Sequence, residues 1–60
     1  MQMQRYTVTF TFLDSPQSDV QSYFEIEAKS EDEAILIAKT LLQRDFPRDA
    51  ESRYSVRAQA

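Results

Sequence analysis

Any chemistry in this chain would have to come from carboxylates. Glu31, Asp32 and Glu33 stand in a row and invite a reading as a hard-cation site. Calcium needs about six to eight oxygens converging on one point, whereas consecutive side chains on a helix diverge by about 100°. The three acids are better explained as the charged first turn of a helix, where the helix dipole favours negative charge. Asp14, Ser15, Ser18 and Asp19 surround Pro16; residues of these types bond nearby backbone groups in turns, and turn chemistry accounts for them. Paired carboxylates act as general acid and base only in a cleft that moves a pKa, and a chain of 60 residues leaves little room for one. The sequence contains no Gly, His or Cys. That removes glycine-dependent phosphate loops and the usual bases, nucleophiles and transition-metal ligands. No catalytic residue, cofactor or metal is expected, and the protein reads as a non-enzyme.

What the residue types do offer is a surface. From Arg5 to Leu13 apolar and polar residues alternate, with Tyr6, Val8, Phe10 and Phe12 on one face and Thr7, Thr9 and Thr11 on the other. Val20 to Ala28 alternates again. Val20, Phe24, Ile26 and Ala28 are expected in the core, with Ser22 interrupting, and Gln21, Tyr23, Glu25 and Glu27 outside. Ser52 to Gln59 is a weaker third strand, placing Tyr54, Val56 and Ala58 opposite Arg53, Ser55, Arg57 and Gln59. The expected outer face therefore joins Thr7, Thr9, Thr11, Leu13 and Tyr23 to Glu25, Glu27, Arg53 and Arg57. Tyr23 among threonines, with Arg57 as a polar anchor, is the candidate protein interface. One tyrosine beside two glutamates argues against a stacking platform for single-stranded nucleic acid.

The element that must support this face is the stretch Ser30 to Phe46. Ser30 followed by Glu33 has the spacing of a capping box. Good helix formers fill the interior without Gly or Pro, and Pro47 biases Phe46 out of helical geometry. Ala34, Ile35, Ile37, Ala38, Leu41, Leu42 and Phe46 fall on one broad stripe. Leu36 projects from the opposite side among Asp32, Lys39, Thr40 and Gln43; a single residue makes no patch, so it reads first as an ordinary surface leucine and second as a lone contact candidate. Asp14 to Asp19 is expected as a loop, since a tight hairpin turn needs residues that accept positive φ. Pro47 to Glu51 is expected as a polar connector, and Met1 to Gln4 as a polar start.

The order β-β-α-β, with a right-handed crossover through the helix, returns the third strand to the free side of the first. The expected fold is a two-layer α+β domain spanning 1–60, with a three-stranded antiparallel sheet of order 2-1-3 and one helix covering the Tyr6/Phe10/Ile26/Val56 face. One register pairs Phe12 with Val20 and Arg5 with Glu27, an opposite-charge pair. A parallel third strand beside the second is the alternative.

A chain this short buries only roughly 60% of its unfolded surface. Small domains often rely on disulfides, metals or a second subunit; without Cys or His, self-association is the route left among these, although many domains of this length fold alone. The net charge of −3 gives no basic surplus for phosphate binding, and no apolar run is long enough for a bilayer. A cytoplasmic protein that binds neither nucleic acid nor membrane is expected.

The segment FEIEAKSEDEAILIAKTL, a strand followed by a capped helix, loosely resembles a pattern in many short bacterial and phage proteins, among them small phage-encoded inhibitors of host defence. The likeness rests on helix-start chemistry and assigns no residue a role. The leading expectation is a non-enzymatic protein-interaction module that self-associates through its outer face around Thr9 and Tyr23, glutamates of one copy meeting arginines of the other. The alternatives are a stoichiometric inhibitor of a larger protein and an accessory subunit of a complex.

Overall fold

A computed structural model describes residues 2–17 and 19–60. Met1, read as part of the polar start, and Ser18, read as part of the turn, lie outside the described residues. Alternating β-branched and aromatic residues build β1 (Gln4–Phe12), β2 (Val20–Ala28) and β3 (Tyr54–Gln59). Both neighbours run antiparallel to β1, in the order β2-β1-β3.

Helix α1 (Glu31–Asp45) lies across one face of this sheet and contacts all three strands. Its start has the expected chemistry: the Glu33 backbone N–H donates to Ser30 Oγ at 3.2 Å. The returning carboxylate departs in detail from the expected box, since Glu33 Oε1 accepts from the Lys29 N–H at 3.3 Å, one residue before the cap. Ala34, Ala38 and Leu42 are fully buried, with Ile35, Ile37 and Leu41 packed along the margins. Small residues in the middle of the stripe let the helix approach the sheet closely. Phe46 ends α1 and stays 40% exposed, so it does not complete the apolar stripe as expected. The expected polar connector is instead a short helix, α2 (Pro47–Ala50), because Pro47 has the fixed φ suited to a first helical position.

The core centres on β1. Val8 and Phe10 have no exposed surface, with Tyr6, Phe12, Ile26 and Ala28 around them. Phe10 meets Tyr23 and Tyr54 edge to face at centroid distances of 6.2 and 5.1 Å, and Tyr54 also meets Phe12 in this way.

The main departure from expectation is in β2. The register runs Gln4–Ala28, Arg5–Glu27, Tyr6–Ile26 and then slips to Val8–Tyr23, Thr9–Ser22, Phe10–Gln21 and Thr11–Val20. Thr7 is left opposite both Phe24 and Glu25, which makes a β-bulge. Arg5 thus pairs with Glu27 as expected, but Phe12 pairs with Asp19, whose carbonyl accepts its N–H at 2.9 Å, rather than with Val20. One extra residue reverses which side chains point inward. Tyr23 and Gln21 turn to the helix side, while Val20, Ser22 and Phe24 turn outward, the reverse of the sequence expectation. Glu25 takes φ 56° at the bulge, a left-handed conformation that costs a non-glycine residue about 1 kcal/mol.

The bulge has a chemical logic. Unbroken alternation would place the Ser22 hydroxyl under the helix, where it would need a partner. In the bulged strand it bonds Thr9 Oγ1 at 3.2 Å on the open face, and the larger Tyr23 packs inward with its hydroxyl at the rim.

Candidate interaction surface

The two registers place the outer side chains on a grid of three columns. Across the strands, Val20, Thr11 and Ser55 form one row. Ser22, Thr9 and Arg57 form the next, and Phe24, Thr7 and Gln59 the third. Leu13 and Arg53 lie beyond the first row, and Glu27 and Arg5 beyond the third. Helix covers only the opposite face, so this one is open.

Three apolar side chains stand on it. Phe24 is 70% exposed, and Val20 and Leu13 are each 56% exposed. Val20 is directly opposite Thr11, so Leu13 is its diagonal neighbour, within reach across the strands. Between these residues run Thr7, Thr9 and Thr11, and a shallow depression lies between Thr9, Thr11, Ser55 and Arg57.

Charge divides the face by column. On the β2 side Arg5 is 3.9 Å from both Glu25 and Glu27, so the carboxylates are shared with a cation of their own chain. On the β3 side neither Arg53 nor Arg57 forms an ion pair among the described residues. One side therefore has two carboxylates sharing one guanidinium, an excess of one negative charge, and the other carries two guanidinium groups without an ion-pair partner among the described residues.

The sequence candidates separate accordingly. Thr7, Thr9, Thr11 and Arg57 do share the outer face. Glu25 lies beside it at the bulge, paired to Arg5. Tyr23 does not belong to the face at all: the bulge turns its ring against Phe10, and its hydroxyl donates to Asp45 Oδ2 at 3.3 Å at the end of α1. Arg44 Nε donates to Asp45 Oδ1 at 2.9 Å. Partial burial pushes the Tyr23 phenol above its ordinary pKa, and the neighbouring Asp45 carboxylate adds to this. The hydrogen bond from Arg44 holds Asp45 below the usual carboxylate value against a smaller opposing effect of burial. This trio ties the helix end to β2 and is a structural contact. Leu36 is 66% exposed on the helix, on the opposite side of the molecule from the threonines, and joins no patch with them.

Phe24 and Val20 are the residues that alternation assigned to the wrong side. Their signal was the polar Ser22 in an otherwise apolar row, followed by adjacent aromatics at Tyr23 and Phe24, a pattern that no single strand phase satisfies.

Compared with protein-family models, curated proteins and solved structures, the chain matches none.

Proposed function

We propose that this protein is a non-enzymatic interaction module that docks the open face of its sheet on another protein. The observation that carries this reading is Phe24, 70% exposed on an uncovered face that also presents Val20 and Leu13. A phenylalanine exposed in this way costs solubility and contributes nothing to the core, whereas in an interface it is an anchor. Thr7, Thr9, Thr11 and Ser22 surround it with short side chains that lose little rotamer freedom when covered. The free guanidinium groups of Arg53 and Arg57 set the partner's chemistry: an apolar patch bordered by carboxylates facing β3.

Single-stranded nucleic acid fits the face less well. Glu25 and Glu27 lie next to Phe24, the aromatic exposed on this face, and the chain carries a net charge of −3.

The test uses the wild-type protein immobilised beside two variants, Phe24→Asp and Leu36→Asp. Both substitutions add a carboxylate at an exposed apolar position, on opposite sides of the molecule. The proposal expects a proteinaceous partner from the native host to be retained by wild type and Leu36→Asp and lost with Phe24→Asp. Capture that survives Phe24→Asp, or a captured species removed by nuclease, would sink it.

A further inference from the structure

Sheet order leaves two edges, and they are not equivalent. The β2 edge is broken by the bulge at Phe24 and Glu25, with Glu25 at φ 56°; a bulge of this kind interrupts the row of groups that a pairing strand would need. β3 carries no bulge. Its hydrogen-bonding direction follows from the Leu13 N–H, which donates to the Arg53 carbonyl at 2.9 Å. In an antiparallel ladder such bonding pairs alternate, so Ser55, Arg57 and Gln59 bond towards β1. Tyr54, Val56 and Ala58 then aim their N–H and C=O groups away from the sheet, and no further strand lies beyond them among the described residues.

The apolar layer is also unfinished on this side. Tyr6, Val8, Phe10 and Phe12 of β1 are buried, as are Ile26 and Ala28 of β2 beside half-buried Tyr23, whereas all three inward residues of β3, Tyr54, Val56 and Ala58, are only half-buried. Lys39 and Gln43 of α1 line a depression with Tyr54, so this flank of the helix faces β3. Half-buried Ile35, one turn before Lys39, lies on the same flank.

We propose that β3 is the site of self-association, two copies pairing antiparallel about a two-fold axis at Val56 into one six-stranded sheet. This deepens the interaction reading above by naming a second copy of the chain as one partner, on an edge distinct from the open face. The register is selected by charge. With Val56 opposite its own copy, Tyr54 faces Ala58, Arg57 faces Ser55 and Arg53 faces Gln59 of the other copy. Shifting by one pair in either direction sets Arg57 opposite Arg53 or opposite its own copy, and like charges directly opposed are unfavourable. In the Val56 register the outward groups of Tyr54, Val56 and Ala58 are the ones that bond. Because α1 contacts all three strands, its two copies would stand about three strand spacings apart, roughly 14 Å. Packed helices approach to about 8–10 Å, so the helices do not oppose the pairing. The pairing edge is only six residues long, so the expected association is weak, with a Kd of about micromolar or above.

Sedimentation or light scattering across a concentration series reads the mass, and amide exchange reads the edge. The expected result is a mass that doubles with concentration, with the Tyr54, Val56 and Ala58 amides protected only in the heavier species. Ser55→Arg, an exposed change that puts like charges opposite Arg57 of the other copy, is expected to weaken association about tenfold, and Ser55→Glu to strengthen it severalfold. A strictly monomeric protein at millimolar concentration would overturn the proposal. So would a dimer indifferent to the sign of the charge at position 55 but broken by Phe24→Asp, which would place self-association on the open face. Failure here leaves the capture experiment standing, because that experiment reads Phe24 in the β2 column of the open face, whereas edge pairing is read by the amides of Tyr54, Val56 and Ala58.

Discussion

The two phenylalanines that alternation places together in the core show what one residue of slip does. Phe10 has no exposed surface and lies between two tyrosines, whereas Phe24 is 70% exposed. Phe10→Ala is expected to lose about 3–5 kcal/mol, most of the stability of a small domain, while Phe24→Ala should stay within about 0.5 kcal/mol. Urea midpoints of the two variants check this, and equal losses would contradict the bulged register. Glu25 offers a second test. Its φ of 56° suits glycine, so Glu25→Gly should be neutral or stabilising by up to about 1 kcal/mol. Glu25→Val should destabilise by about 1–3 kcal/mol, since a β-branched residue resists this conformation. The Arg5–Glu25 contact at 3.9 Å is an exposed ion pair and changes this balance little.

At the scale of elements, the question is how the end of α1 is held to β2. Tyr23 reaches Asp45, which Arg44 also holds. The phenol's pKa is raised in the folded protein, first by burial and then by Asp45. A raised pKa means that the folded state keeps its proton longer than the unfolded chain. This contribution to stability is complete below about pH 10, the phenol's ordinary value, and is lost as pH rises through the folded value. Asp45 behaves in the opposite sense: its lowered pKa gives a contribution present above the ordinary carboxylate range and lost as pH falls through the folded value. Melting curves should therefore show wild type losing more stability than Tyr23→Phe between neutral pH and pH values above about 10, and more than Asp45→Asn on acidification. Parallel pH profiles for wild type and both variants would exclude the coupling.

At the scale of the molecule, one helix lying on three strands leaves one sheet face without cover and, at β3, one sheet edge that no bulge interrupts. No helix among the described residues is long and apolar enough to cross a membrane. The face and edge divide the work between them in the reading developed above: Phe24 meets a different protein and β3 meets a second copy. Pairing through β3 links stability to concentration, because a partner that binds only the folded chain shifts the folding equilibrium. The melting temperature should therefore rise as protein concentration is raised through the micromolar range, and Ser55→Arg should flatten that dependence. A melting temperature constant over a hundredfold range of concentration would be incompatible with it.

Local rules were enough to determine much of this protein. The period of about 3.6 residues in Ser30 to Phe46, the Ser30–Glu33 spacing and the alternation around Phe10 specify one capped helix and a central strand. The right-handed crossover then narrows the third strand to a place beside β1 or beside β2, and the structure takes the first, in the order β2-β1-β3. Each of these depends on neighbours in the chain or on handedness, and both are visible in one dimension. The composition of the open face was not visible in this way. Whether Tyr23 or Phe24 turns inward depends on which of two phases of β2 packs better beneath α1. That choice weighs the Ser22 hydroxyl, the reach of Tyr23 to Asp45 and the strain at Glu25 against one another, and only the assembled sheet and helix bring those residues within contact distance.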